Sequence, residues 1–80
     1  MTTKNKIIAN FIEDMHTNYD DWYQDYYECK NNRGMSIKTY NGLFFIELEV
    51  DGVNVSLNPL QKIKIRKAMN KLVEIKTQNR

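Results

Sequence analysis

Two dipeptides, Asn41-Gly42 and Asp51-Gly52, constrain the fold of this chain more than any other feature of its sequence. Each lies between runs in which apolar and polar residues alternate. Such dipeptides favour two-residue β-hairpin turns, because both turn positions need positive φ. They therefore predict a three-stranded antiparallel meander over residues 35–57.

The two predicted hairpins can be compared because each turn sets a pairing register. A two-residue loop in the first hairpin pairs Tyr40 with Leu43. A two-residue loop in the second pairs Val50 with Val53. Both registers put the same apolar side chains on one face, which we expect to be the core, with Phe44, Ile46 and Leu48 buried. The members of this face are Met35, Ile37, Phe44, Ile46, Leu48, Val50, Val53, Val55 and Leu57.

Helical periodicity flanks the predicted sheet on both sides. Apolar residues from Ile7 to Met15, and then aromatic residues from Tyr19 to Tyr27, recur at helical spacing. This pattern predicts a helix or a helix pair over residues 4–29. Asn58-Pro59 supplies an N-cap and a proline at the first helical position, and an apolar stripe follows it. A C-terminal helix over 59–77 is therefore expected, although Lys62–Arg66 alternates as a strand would.

The predicted architecture is a single α+β domain over residues 1–80. A domain of this size buries only roughly 60% of the surface of its unfolded chain, which leaves little room for a substrate cavity. The single cysteine, Cys29, excludes an intrachain disulfide, and the three glycines form no phosphate-binding loop. His16 and the acids near it match neither the spacing nor the number of ligands of a known metal site. We expect no enzyme activity, no cofactor and no metal.

Charge is segregated along the chain, although the net charge is only +2. Residues 13–28 contain six acids and no lysine or arginine, whereas residues 62–80 contain seven bases and one acid. Such a bipolar field can steer association with a charged partner, or it can simply keep two faces solvated. The apolar run after Lys6 is broken at Asn10, so neither a signal peptide nor a membrane span is expected. We expect a cytoplasmic protein.

Three sets of residues are candidates for contact with a partner. The first lies in the acidic, aromatic segment, where tyrosine and tryptophan side chains suit protein interfaces; packing of Trp22, Tyr23 and Tyr26 in the core is the alternative. The second lies on the sheet face opposite the core and is either covered by a helix or exposed. The third is basic and lies on the C-terminal helix. In order, the sets are Tyr19, Asp21, Trp22, Asp25, Tyr26 and Tyr27; Tyr40, Leu43 and Phe45; and Lys64, Arg66, Lys67 and Lys71.

The predicted order of helix, three-stranded meander and C-terminal helix resembles the double-stranded-RNA-binding domain. In that family the last helix presents lysines to phosphates, and the basic residues from Lys64 to Lys71 are similar to that helix. The resemblance implies a small RNA- or DNA-binding domain that uses its basic C-terminal helix.

The opening segment from Lys4 to Ile12, with Asp21-Trp22 downstream, is similar to the openings of small phage proteins. With its size, segregated charge and composition, the chain resembles phage-encoded anti-defence proteins, including anti-CRISPR proteins. This resemblance implies a non-catalytic inhibitor or modulator, from a phage or mobile element, that binds a bacterial effector protein or nucleoprotein complex. An acidic surface would then occupy a nucleic-acid channel, or a basic surface would contact guide RNA.

Overall fold

A computed structural model of the chain describes residues 3–25, 27–40 and 45–78. The chain forms two helices and a five-stranded antiparallel sheet, whose strands are arranged side by side in the order in which they occur in the sequence. The predicted α+β class is confirmed. The sheet has five strands, two more than the three-stranded meander that was predicted. The elements are α1 (Lys4–Thr17), one turn of 3-10 helix (Tyr19–Asp21), β1 (Tyr23–Gln24), β2 (Glu28–Lys30), β3 (Met35–Tyr40), β4 (Phe45–Val50), β5 (Val53–Val55) and α2 (Pro59–Gln78).

Both helices pack on the same face of the sheet and form one layer. The Asn5 side chain accepts a hydrogen bond from Gln61, and His16 Nε2 lies 3.2 Å from the carbonyl oxygen of Ala68, so the helices run in the same direction. Apolar side chains from both helices and from one sheet face form a single core. Its buried members are Ile8, Phe11, Met15, Trp22, Cys29, Ile37, Ile46, Leu48, Ile65, Ala68, Met69 and Leu72.

Side-chain caps begin both helices. Thr3 Oγ1 accepts a hydrogen bond from the Lys6 backbone N–H at 3.3 Å, which satisfies one of the free donors at the start of α1. At α2, Asn58 and Gln61 each accept from the other's backbone N–H, at 2.8 and 2.9 Å. This reciprocal cap and Pro59 start the helix where the sequence predicts it, so the strand-like alternation over 62–66 lies within α2.

The helix predicted over residues 19–29 is wrong beyond its first turn. Helix α1 ends at Thr17, and residues 23–24 and 28–30 form β1 and β2, which extend the sheet outward from β3. Cys29 pairs with Ile37 and enters the core. Pairing with β3 therefore overrides the helical periodicity of the aromatic residues, which is a weak preference by comparison.

The first hairpin differs from its predicted register. Tyr40 pairs with Phe45, not Leu43, so β3 and β4 are shifted by two residues from the predicted register. The predicted turn at Asn41-Gly42, with Leu43 and Phe44, lies outside the described residues. A shift of two residues leaves every side chain on the predicted face, because side chains alternate with a period of two.

The second hairpin has the predicted two-residue turn. Val50 pairs with Val53, and Asp51 and Gly52 adopt positive φ of 51° and 83°. On the predicted core face Ile46 and Leu48 are buried, as expected. Val53 is the exception, with 66% of its surface exposed, because it lies on the edge strand.

Candidate binding surfaces

The sheet face opposite the helices lies open to solvent in the described part of the chain. Of the two alternatives for this face, covered or exposed, exposure is what the structure shows. Tyr40 and Phe45 are 42% and 54% exposed, although both side chains are largely apolar. Leu43, the third member of the predicted set, lies outside the described residues.

Three aromatic rings gather at one end of this open face, and we call Tyr27, Tyr40 and Phe45 the aromatic cluster. The rings of Tyr27 and Tyr40 stack, with centroids 6.4 Å apart and planes inclined by 25°. Tyr40 and Phe45 are directly paired across β3 and β4. The Lys62 ammonium lies 5.8 Å from the centre of the Phe45 ring, a cation–π contact that closes one side of the cluster.

Four charged side chains on the same face form two ion pairs. Lys38 Nζ lies 3.0 Å from Glu49 Oε2, and Lys30 Nζ lies 3.6 Å from Glu28 Oε1. The hydrogen bond and charge of Glu49 raise the pKa of Lys38, so this ammonium is held in its charged form. Both lysines are paired with carboxylates, so among the described residues Lys62, at the border of the aromatic cluster, is the cation beside it that forms no ion pair.

The acidic, aromatic segment does not form the single surface that its sequence suggests. Trp22 is fully buried, so the alternative of core packing holds for this residue and it offers no surface to a partner. Tyr19 is half-buried against the core, while Tyr23, the other described candidate for the core, is 54% exposed. Tyr26 lies outside the described residues. The 3-10 turn and the two strands scatter these residues because their side chains no longer share one helical face.

The two acids of the predicted contact segment also lie apart from the aromatic cluster. Asp21 is exposed and forms an ion pair with Arg33 at 2.8 Å. Asp25 is exposed in the connection between β1 and β2, where its backbone N–H donates to the Glu28 carbonyl at 2.7 Å. Of the five described residues predicted in this segment, Tyr27 alone therefore joins the aromatic cluster.

A polar centre under this segment was not predicted. The Asp14 carboxylate accepts hydrogen bonds from Trp22 Nε1 at 2.8 Å, from Asn31 Nδ2 at 3.0 Å and from Asn18 Nδ2 at 2.9 Å, and it pairs with the Arg33 guanidinium. It thus joins the end of α1 to the loop before β3. The available signal was its position, because a carboxylate in the last turn of a helix opposes the helix dipole and needs another reason to be there.

The hydrogen bonds at Asp14 determine its ionisation. Burial disfavours the charged carboxylate and would raise its pKa, but the donors Asn18, Trp22, Asn31 and Arg33 together outweigh burial and lower the pKa from its ordinary value. Asp14 is therefore an ionised structural acceptor at neutral pH. Each of its side-chain hydrogen-bond partners is a donor, as an ionised acceptor requires.

His16 does not join the acids near it in a metal centre. Its Nε2 is directed at the Ala68 carbonyl and links the two helices. Across residues 3–25, 27–40 and 45–78, no group of three or more histidine, cysteine or acidic side chains is placed to hold a metal ion.

Cys29 is expected to resist thiol reagents in the folded protein. Its side chain is buried and burial raises the pKa of the thiol to about 11, so very little reactive thiolate is present at pH 7. We expect labelling by a disulfide reagent to be at least tenfold slower for native protein than for protein in denaturant, following the thiolate fraction and access. Equal rates in the two conditions would contradict the burial of Cys29.

The four predicted basic residues of α2 are all exposed, but they do not form one surface. Lys64, Lys67 and Lys71 follow one side of the helix, since successive residues turn by about 100°. Arg66 points at least about 100° away from each of these three. The predicted set therefore divides into a stripe of three lysines, which we call the lysine stripe, and a separate arginine.

No helix among the described residues has both the length and the apolar content needed to cross a membrane. Comparison of the chain with protein-family models, with curated proteins and with solved structures found no match. The function proposed below therefore rests on the surfaces just described and on the sequence.

Proposed function

We propose that this protein is a non-catalytic binding protein whose open sheet face docks on a protein partner, with the aromatic cluster at the centre of the contact. The observation that carries the proposal is the exposure of three adjacent aromatic rings, Tyr27, Tyr40 and Phe45, of which between 42% and 57% remains in solvent. Adjacent exposed apolar side chains of this kind mark interaction sites, because a small domain needs most of its apolar side chains for its core.

The chemistry of the cluster suits a protein interface. Tyrosine supplies a large apolar ring with a hydroxyl that can hydrogen-bond at the rim, and aromatic residues are enriched among those that dominate binding energy. The stacking of Tyr27 on Tyr40 fixes both rings before a partner arrives. Less side-chain entropy is then lost on binding, so more of the contact energy appears as affinity.

The charges around the cluster favour protein over nucleic acid on this face. Glu28 and Glu49 already occupy the two lysines of the sheet, and Glu47 adds an exposed carboxylate. A polyanion would meet these acids without free cations to balance them, whereas a protein surface can present matching donors.

The partner we propose is a bacterial defence effector, either a protein or a nucleoprotein complex, which this chain inhibits or modulates on behalf of a phage or mobile element. Support for this finer assignment comes from the sequence, namely the resemblance of the opening residues and composition to phage anti-defence proteins. We place the docking face on strands β2 to β4 and their ends, because residues 23–24 and 28–30 form strands and not the predicted helix.

The proposal is tested by combining Tyr27→Ser, Tyr40→Ser and Phe45→Ser in one variant. Tagged wild-type protein captures its partner from nuclease-treated bacterial lysate, and the partner's affinity for both proteins is then measured by calorimetry. Truncation of hot-spot aromatics costs about 2 kcal/mol or more, so we expect affinity to fall at least about 30-fold. In cells that carry the defence system, the variant should also lose its inhibition.

The matched control is Tyr23→Ser. Tyr23 and Phe45 are each 54% exposed, but Tyr23 lies on edge strand β1 and outside the cluster. Its affinity should stay within about twofold of wild type. Circular dichroism must show that both variants are folded. A folded triple variant with wild-type affinity would remove the open sheet face from the contact.

A further inference from the structure

We infer that the lysine stripe of α2 is a second contact surface, which binds the phosphate backbone of a nucleic acid. Lys64, Lys67 and Lys71 are exposed and form neither an ion pair nor a hydrogen bond with any described residue. This contrasts with the sheet face, where Lys30 and Lys38 are both paired with carboxylates. The stripe is therefore a part of the described surface where three adjacent lysines form no ion pair.

The stripe has the geometry of a linear phosphate contact. Its three residues occupy one side of the helix and span seven positions, or about 10 Å along the axis at 1.5 Å per residue. The core side of α2 is held against α1 and the sheet by buried residues such as Ile65 and Leu72, which fixes the orientation of the stripe. A rigid helix that carries three lysines in a row matches the spaced negative charges of a nucleic-acid strand.

The positions of the exposed apolar residues on α2 favour a nucleic acid over an anionic membrane as the partner of the lysine stripe. Two of them, Leu60 and Ile63, are 73% and 50% exposed, but both lie in the first turn and a half of the helix. An interfacial membrane helix needs an apolar face along its length. Between Lys64 and Lys71 the outer side of α2 offers lysine and Asn70, with no large apolar side chain there to enter a bilayer.

This inference is independent of the proposed docking face. The aromatic cluster lies on the open sheet face and meets α2 at Lys62. The three lysines of the stripe point at least about 140° away from Lys62 around that helix. A protein partner and a nucleic acid could therefore be bound at the same time. Removing the stripe should leave the protein contact intact, and removing the cluster should leave nucleic-acid binding intact.

Fluorescence anisotropy with labelled single-stranded RNA, double-stranded RNA and double-stranded DNA, between 50 and 200 mM salt, tests the inference. We expect at least one probe to bind at low salt. Combining Lys64→Gln, Lys67→Gln and Lys71→Gln should weaken its binding at least about tenfold at 50 mM salt. The slope of log K against log salt should fall by about 2 to 3, since each duplex phosphate contact contributes about 0.9 and each single-strand contact about 0.7.

A pair of adjacent single variants separates the stripe from general charge. Lys67→Gln and Arg66→Gln remove the same charge one position apart, but the two side chains point about 100° away from each other. Lys67→Gln should reduce the salt slope by nearly one and Arg66→Gln should leave it unchanged. Equal effects of the two variants would overturn the inference. Absence of binding to every probe at 50 mM salt, or binding to anionic vesicles alone, would overturn it as well.

Discussion

Replacing Asp14 with alanine is expected to lower the free energy of unfolding by roughly 2–5 kcal/mol, because a buried donor left without its acceptor costs about 1–3 kcal/mol. Two buried residues donate to this carboxylate, Trp22 through its indole N–H and Asn31 through its amide. The Arg33 guanidinium loses its partner as well, although it is partly exposed and can return to water. Alanine itself favours helix and removes an acid from the helix C-terminus, so the measured loss understates the cost of the broken contacts.

Urea unfolding of Asp14→Ala and of the control Glu13→Ala would measure this loss. Glu13 is the preceding residue of α1, is exposed and has no hydrogen bond or ion pair with a described residue. Its replacement removes the same charge and introduces the same side chain, so the stability should change by no more than about 0.5 kcal/mol. Equal losses for the two variants would mean that the contacts of Asp14 contribute nothing to stability.

The Asp14 contribution should also depend on pH. Its pKa in the folded protein is lowered from the ordinary value of an aspartate, so in the acid range the folded state binds fewer protons than the unfolded state. The stabilisation is therefore complete above about pH 5 and is lost as the pH falls through the folded pKa. Asp14→Asn has no such titration. The stability gap between wild type and Asp14→Asn should thus be constant near neutral pH and shrink below about pH 4, whereas a gap that widens in acid would contradict the assignment.

The sheet's face was predictable from sequence, but its full extent was not. Asp51-Gly52 carries the turn chemistry that its hairpin needs, and local residues are enough to specify that pairing. Strands β1 and β2 have no such signal. They form because residues distant in sequence pair with β3, as Cys29 does with Ile37. A run of aromatic residues at helical spacing contains no information about that pairing, and so it predicted a helix in the wrong place.

The candidate surfaces were also predicted only in part, because local sequence patterns specify some of their residues and long-range contacts specify the others. Tyr40 and Phe45 were predicted from strand alternation, which survives a register shift of two residues. The sequence predicts Tyr27 as a contact residue on a helix. In the structure it reaches the aromatic cluster from the end of β2, where the Thr39 backbone N–H donates to its carbonyl oxygen. The Asp14 centre was missed because its ion-pair partner, Arg33, is 19 residues away. Contacts of that range depend on the folded topology, which periodicity does not reveal.

Ile46→Ala should cost roughly 2–5 kcal/mol, which is a large part of the stability available to a domain of this size. Ile46 is 3% exposed and belongs to the core between the sheet and the helices. The expected loss combines the missing transfer free energy of the side chain with a cavity that the neighbouring helices cannot fully fill.

Val53→Ala is the matched control, because alternation puts Val53 on the same face of the sheet as Ile46. Val53 is 66% exposed on edge strand β5, so its truncation should cost less than about 1 kcal/mol. Guanidinium unfolding of the two variants compares a central position with an edge position on one face. Ile46→Ala should move the midpoint well below that of Val53→Ala at an unchanged slope. A smaller loss for Ile46→Ala than for Val53→Ala would mean that the helices do not cover β4, and the assignment of the opposite face as the open docking surface would fail with it.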